Sequence, residues 1–167
     1  MLGKYEKFPS TIHFLKKFSS TTNIKQLQQK LVQTLKESNR KTCYFEEVSI
    51  PTIPNSEVIF EFGIAENESF NFLDEQETSR VLNILRVNSL LDFFCVIRYY
   101  KYNVSKKTSL KFDYYIFRTK FAANEIEFQV FHKQGPRYIN PEELVLMIIN
   151  KINDTATKKI LRETSEF

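Results

Sequence analysis

The sequence predicts an α+β fold, in which helices flank an antiparallel sheet that is strongly curved or barrel-like. Three runs rich in Phe, Tyr, Ile and Val follow one another between Asp92 and Lys133, separated only by VSKKTS and AAN. Short polar connections between such runs are typical of successive antiparallel strands. Strands outnumber helices in the predicted order, and closure of the sheet would remove its exposed edges.

Length and composition predict one globular domain. The chain has 167 residues, of which 42% are hydrophobic and 14% aromatic, enough for a sizeable core. We assign residues 1–153 to this domain and residues 154–167 to a polar tail, expected to be a loose helix or disordered. No apolar run approaches the roughly 20 residues of a membrane span, and no secretory signal is evident, so we expect a soluble intracellular protein. Cys43 and Cys95 are accordingly expected to be buried thiols.

The first half of the chain predicts the order strand, helix, strand, strand. TIHFLKKF, at 11–18, favours a short strand, and the Ser-Ser-Thr-Thr after it offers helix N-caps. Apolar residues recur at helical spacing from 23 to 38. CYFEEVSI, at 43–50, and EVIFEFGI, at 57–64, are strand-like runs separated by two prolines, which cannot donate a ladder hydrogen bond.

Two further helices are marked by their N-terminal residues. Asp74 with Glu77 three positions later forms the pattern of a capping box, which predicts a helix at 74–86. Asn140 followed by Pro141 and by a Glu at 143 is a stronger start signal, and it predicts a helix at 141–153.

The last strand of the meander alternates cleanly between its two faces. Ile126, Phe128, Val130 and His132 share one face, which we assign to the core, and His132 is expected to be a hydrogen-bonded core or rim residue. The opposite face carries charge. On this face Glu125 and Glu127 lie two positions apart and project side by side. Such a pair of carboxylates can hold a divalent cation, but it is also common on a solvated strand.

Charge and residue inventory exclude several classes of site. The net charge is +4 and the pI about 9.0, but the basic residues form only short groups, so we do not expect direct nucleic-acid binding. Three glycines argue against a phosphate-cradling loop. The only histidines, His13 and His132, lie in no nucleophile motif, and they are not spaced with the two cysteines as a zinc site requires.

The order of these features resembles the tunnel-barrel superfamily that includes RNA 5′-triphosphatases. The resemblance rests on a long strand with Arg98, a basic hairpin, a second strand with Asp113 and Arg118, and then EIEF, whose Glu125 and Glu127 match the late Glu-x-Glu motif. The early motif is absent from TIHFLKKF and EVIFEFGI. This resemblance implies a phosphohydrolase that uses Mn²⁺ or Mg²⁺. The implied site residues are Glu125, Glu127 and either Glu61 or Glu46 for the metal, with Arg98 and Arg118 for the triphosphate.

A non-catalytic branch of the superfamily matches more of the chain. From Thr11 to Asn153 the order of elements is similar to that of the Mediator head-module subunit 18 family. That resemblance implies an interaction subunit of a nuclear transcription coregulator complex acting with RNA polymerase II, with other protein subunits as partners and neither cofactor nor catalytic residues. The 16 Phe and 8 Tyr exceed what a small sheet readily buries, and exposed rings favour partner binding. The non-catalytic subunit is our expectation and the phosphohydrolase is the alternative.

Overall fold

The computed structural model describes residues 5, 7–45, 56–66, 68–84, 90–103 and 106–164. Within them it confirms the α+β class, with one nine-stranded sheet and three helices. The strands are β1 (Phe14–Ser20), β2 (Thr42–Tyr44), β3 (Ser56–Glu66), β4 (Ser69–Phe72), β5 (Leu90–Asn103), β6 (Lys106–Ser109), β7 (Asp113–Ala122), β8 (Glu125–Gln134) and β9 (Leu161–Glu163). The helices are α1 (Ile24–Ser38), α2 (Glu75–Ile84) and α3 (Pro141–Asp154).

The sheet is antiparallel throughout and is built around the predicted meander. Its strand order is β2-β3-β5-β7-β8-β1-β9, with β4 paired to β3 and β6 paired to β5. Phe117 of β7 lies opposite Phe93 on one side and Val130 on the other, and the pairing of β7 with β8 continues to Ala122 and Glu125. The predicted pairing of the last two meander strands is therefore confirmed.

The sheet is open, so the predicted strong curvature or barrel closure is wrong. In the part of the chain that the structure describes, β2 and β9 lie at opposite ends of the strand order and do not pair. Each is only three residues long. Short edge strands limit the exposed backbone in the same way that closure does, and they make closure unnecessary.

One face of the sheet, here called the inner face, packs against all three helices. Alternate residues of β5, including Phe93, Cys95 and Tyr99, are buried in a core that also contains Leu31 of α1 and Ile148 of α3. Burying each large apolar side chain stabilises the fold by about 1.5–3 kcal/mol. The opposite face, here called the outer face, has no helix against it among the described residues.

Helix starts follow local signals closely. The side chain of Asn140 accepts from Glu143 N, and the Glu143 side chain accepts from Asn140 N, so the predicted capping box is formed. Asp74 Oδ1 accepts from Glu77 N at 2.7 Å. The cap of α1 is Asn23 rather than one of the preceding hydroxyl residues. All three predicted helices are present; the last residues of the helix predicted at 74–86 lie outside the described residues, as do residues 46–50 of the predicted second strand.

Three short strands were not expected from the sequence: β4, β6 and β9. The last of these overturns the expected loose helix or disorder over residues 161–163. β9 pairs with β1, with Leu161 opposite Ser20, and the side chains of Ile160 and Leu161 are buried in the main core. The Asn153 side chain accepts from the backbone N–H groups of both residues, which fixes the return of the chain after α3.

Cys43 and Cys95 do not form a disulfide with each other; Cys95 is buried, as expected, whereas Cys43 is only partly buried. Cys95 is fully buried, and burial raises the pKa of its thiol. None of the helices in the described part of the chain has the length and apolar character needed to cross a membrane.

Candidate functional site on the outer face of the sheet

The five described residues that the sequence singled out for metal or phosphate binding all project from the outer face. Glu127, for example, lies between the buried Ile126 and Phe128, and Glu125 shares its face because it is two residues away on β8. The five residues are Glu61, Arg98, Arg118, Glu125 and Glu127. Glu46, the other carboxylate considered, lies outside the described residues.

Glu127 is surrounded by positive charge from the neighbouring strands. Its carboxylate lies 4.0 Å from Lys17 Nζ and 3.9 Å from Lys120 Nζ, and Gln129 Nε2 donates to it at 2.6 Å. These groups satisfy the carboxylate without a metal. Lys17, Glu127 and Lys120 form a cross-strand ladder, in which exposed charges contribute only a few tenths of a kcal/mol each.

Glu61 lies too far from Glu127 for the two carboxylates to bind one metal ion. The strand register places Glu61 level with Gln134 of β8, seven residues from Glu127 and three strands away. The two carboxylates are therefore roughly 25 Å apart. Glu61 instead accepts from Arg98 Nε at 3.0 Å. Among the described residues no three His, Cys, Asp or Glu side chains are grouped so that they could hold a metal ion.

Arg118 is held by Asp92. Arg118 Nε and one of its terminal nitrogens donate to the two carboxylate oxygens at 2.8 and 3.0 Å, a bidentate pair whose hydrogen bonds raise the pKa of Arg118. The Tyr5 hydroxyl donates to the same carboxylate. Burial, followed by this hydrogen bond, raises the pKa of Tyr5. The Phe8 ring lies under the Arg118 guanidinium, with 4.8 Å between the ring centroid and Arg118 Cζ.

The chain before β1 covers the middle of the outer face. Tyr5 packs edge-on against Phe70 at 4.8 Å between ring centroids, and Phe70 in turn contacts Phe94. Val96 and Ile116 complete this small apolar cluster. A backbone hydrogen bond from Tyr5 N to the turn between β3 and β4 holds the segment in place. Among the described residues, two regions of the outer face are left without such a cover, one on each side of it.

The first open region is the Lys17–Glu127–Lys120 ladder. The second lies on β2, β3, β5, β6 and the connection from β6 to β7, and we call it the ring-cation patch. Its residues are Tyr44, Glu57, Glu61, Arg98, Tyr100, Tyr102, Lys107 and Phe112.

Glu57 organises one half of the ring-cation patch. It accepts from the Tyr102 hydroxyl at 3.1 Å and lies 3.7 Å from Lys107 Nζ. The same Lys107 ammonium lies over the Tyr100 ring, 4.5 Å from its centroid, and 6.0 Å from that of Tyr102. A cation within about 6 Å of a ring face is attracted to it. The hydrogen bond to Glu57 is the main cause that raises the pKa of Tyr102.

Arg98 organises the other half. Its guanidinium lies 5.6 Å from the centre of the Phe112 ring while it donates to Glu61. Phe112 is 37% exposed, Tyr102 42% and Tyr44 58%, so large rings are open to solvent across the whole patch. Exposed rings beside an ordered Arg are the composition found at the centre of protein–protein interfaces.

The sequence already contains a signal for this patch. Arg98, Tyr100 and Tyr102 lie two positions apart, so a strand at this point must present them on one face. In the sequence, Arg98 was implied as a phosphate ligand by the resemblance to RNA 5′-triphosphatases. The tyrosines were considered only as part of the high total of aromatic residues. The contribution of Lys107 and Phe112 depends on the β5–β6 pairing and on the turn into β7.

A buried polar cluster lies on the inner face, at the end of the sheet nearest the start of α3. Asp113 is fully buried, and its carboxylate accepts from Tyr99 OH, His132 Nε2, Arg137 N and Tyr138 N. The expectation for His132 is confirmed. Burial, reinforced by Asp113, raises the pKa of Tyr99. With its acceptors occupied by the protein itself, Asp113 holds the loop before α3 and has no capacity left for a ligand.

Gly135 allows this loop to approach Asp113. Its φ is +114°, and a Cβ at this position would lie 2.4 Å from Phe112 O and 2.7 Å from Asp113 Cα. Only glycine avoids both the strained backbone and the clash.

Comparisons with protein families, with curated proteins and with solved structures find no match for this chain.

Proposed function

We propose that this protein is a non-catalytic interaction subunit of a transcription coregulator complex that acts with RNA polymerase II. The exposed rings of the ring-cation patch, Tyr44, Tyr102 and Phe112, carry the interaction part of the proposal. Large rings bury much area at low cost in rotamer entropy, so a cluster of them favours contact with another protein.

The transcriptional part of the proposal rests on the order of elements. From β1 to α3 the order of strand, helix, strands, helix, basic hairpin, Glu-bearing strand and helix is similar to the order that the resemblance to the Mediator head-module subunit 18 family implies, whereas β4 adds a third strand between α1 and α2 and β9 follows α3. The open sheet departs from the barrel of that superfamily, so the order of elements alone supports this setting and the nuclear location that goes with it.

The alternative, a metal-dependent phosphohydrolase, has weaker support. Of the two carboxylates that could complete its metal site, Glu61 is kept roughly 25 Å from Glu127 by the strand register, and Glu46 lies outside the described residues. Its phosphate ligands, Arg98 and Arg118, each already bind a carboxylate. A triphosphate would have to displace both partners.

The experiment that tests the proposal is gentle purification of the tagged full chain from its native cells, with the partners identified by mass spectrometry. We expect stoichiometric recovery of coregulator subunits together with RNA polymerase II. Recovery of a lone monomer would contradict the proposal. In parallel, phosphate release from triphosphate-ended RNA with Mn²⁺ should be no greater for the natural chain than for Glu127→Gln.

A further inference from the structure

We infer that the segment before β1, here called the cover, closes a docking groove on the outer face. The groove takes an extended segment of a partner protein that carries Tyr and Phe three positions apart, and this chain's own Tyr5 and Phe8 fill it when no partner is bound. The cover consists of residues 5–13, of which Glu6 lies outside the described residues. Such a site rests on the proposed interaction function and adds to it an interface that the chain itself controls.

The cover is loosely attached to the sheet. Residues 7–13 lie in neither a helix nor a strand. In the described part of the chain one backbone hydrogen bond holds each end of the cover: Tyr5 N donates to Glu68 O, and His13 N donates to the backbone of β8. Tyr5 is buried, whereas residues 10–13 are exposed. Few buried contacts are typical of a segment that opens locally while the rest of the protein stays folded.

The sheet beneath the cover is complete without it. β5 pairs with β3 on one side and with β7 on the other, and the main core contains neither Tyr5 nor Phe8. Opening of the cover would therefore leave the fold in place and expose the apolar side chains of Phe70, Phe94 and Ile116. A contiguous apolar surface of this kind is typical of an interaction site.

Two contacts of the cover show which side chains the groove selects. The Tyr5 hydroxyl donates to Asp92, whose carboxylate also accepts two hydrogen bonds from Arg118. The Arg118 guanidinium lies over the Phe8 ring, a favourable contact between a cation and a ring face. A ring with a hydroxyl and a second ring three positions later therefore match the groove. The net charge of the partner segment is not selected, because Asp92 and Arg118 neutralise each other.

The closed cover lowers the apparent affinity of the groove for a partner. A partner segment can bind only those molecules in which the cover is open, so the measured dissociation constant is the intrinsic one divided by the open fraction. Truncation of Tyr5 removes the buried side chain of this internal competitor and increases the open fraction. If Tyr5 were instead part of the binding surface, the same truncation would weaken binding.

The test uses fluorescence anisotropy with the full chain and a labelled peptide of residues 3–9, GKYEKFP. We expect Tyr5→Ala to bind this peptide at least about tenfold more tightly than the natural chain does. A matched peptide with Phe in place of Tyr should bind Tyr5→Ala severalfold more weakly, because it cannot donate to Asp92. When Asp92→Ala is added to Tyr5→Ala, the two peptides should bind equally. Circular dichroism establishes that each variant is folded.

Ile12→Ala is the matched control, because Ile12 is exposed in the cover and lies outside the apolar cluster beneath it. It should bind the peptide as weakly as the natural chain does. Failure of Tyr5→Ala to bind the peptide, an equal gain in Ile12→Ala, or equal binding of the two peptides to Tyr5→Ala would each overturn the inference. A concentration-dependent dimer of the natural chain that is lost in Tyr5→Ala would assign the groove to a second copy and would also overturn it.

Purification from native cells separates the docking groove from the proposed function. If the same partners co-purify in equal amounts with the natural chain, Tyr5→Ala and Asp92→Ala, the groove is not their docking site and the proposed function stands. If neither the natural chain nor Tyr5→Ala recovers a partner, the proposed function itself fails.

Discussion

His132 Nε2 lies 2.9 Å from Oδ1 of Asp113 at the buried end of the sheet. On the other side of the ring, Arg137 Nε donates to Nδ1 at 3.1 Å, so Nδ1 is an acceptor and the proton of the neutral imidazole lies on Nε2. His132 therefore donates to Asp113. Through Asp113 the same cluster binds the backbone of Arg137 and Tyr138, which links the end of β8 to the loop that begins α3.

Replacement of Asp113 by alanine should strongly destabilise the protein. The change leaves the buried hydroxyl of Tyr99 and the N–H groups of Arg137 and Tyr138 without their acceptor. We expect the free energy of unfolding, measured in urea, to fall by about 3–5 kcal/mol. Asp154→Ala, at an exposed position, is the control and should change it by less than about 0.5 kcal/mol. Equal effects of the two variants would mean that the cluster does not hold the loop.

His13 should titrate below its ordinary pKa of 6.5. Burial, Arg137 and His132 lower the pKa of this imidazole, whose Nδ1 accepts from His132 N at 2.9 Å. Below pH 6.5 the unfolded chain binds a proton that folded His13 does not, so stability should decrease as the pH falls, until the pH passes the lowered pKa. NMR titration of the ring protons measures this pKa. Arg137→Gln should raise it, and a pKa at or above 6.5 in the natural chain would contradict the arrangement.

Elements with a complete local signal were predictable from the sequence. The start of α3 depends on Asn140, Pro141 and Glu143, which are neighbours in the chain. The two faces of β8 follow from its alternation, because adjacent strand residues point to opposite faces. In both cases the determining residues lie within one turn or one strand.

Features that depend on distant pairing were not predictable. Leu161 becomes a core residue only because β9 reaches the edge at Ser20, and nothing near Leu161 specifies that partner. The open sheet has the same kind of cause, since closure depends on which strands meet at the edges. In the ring-cation patch, alternation predicts a shared face for Arg98 and Tyr100, whereas the contact of Arg98 with Phe112 needs the turn between β6 and β7.

Removal of the α3 cap should cost a measurable part of the stability. Asn140→Ala abolishes the acceptor for Glu143 N, and we expect the free energy of unfolding to fall by about 1 kcal/mol. Asn150→Ala, at an exposed position inside the same helix, is the matched control. Because alanine is the better helix former there, that variant should be neutral or slightly stabilising. A loss of similar size in both variants would assign the effect to the helix interior rather than to its cap.

The cover over the outer face should loosen when Tyr5 is truncated. Tyr5 is largely buried against Phe70, and its hydroxyl donates to Asp92. We expect Tyr5→Ala to lower the free energy of unfolding by about 2–3 kcal/mol and to speed amide hydrogen exchange in β4. Ile12→Ala, at an exposed position in the same segment, should leave both quantities close to those of the natural chain. Unchanged exchange in β4 after Tyr5→Ala would show that the segment does not protect this face.

Truncation of Leu161 tests whether the end of the chain belongs to the fold. Leu161 is 1% exposed and lies in the main core, and Asn153 binds the backbone at this position. Leu161→Ala should therefore lower the free energy of unfolding by about 2–4 kcal/mol, as expected for a buried leucine. Lys158→Ala, three residues earlier and exposed, should change it by less than about 0.5 kcal/mol. If residues 154–167 were a separate polar tail, the two variants would have the same free energy of unfolding. If β9 completes the core as an edge strand, only Leu161→Ala lowers it.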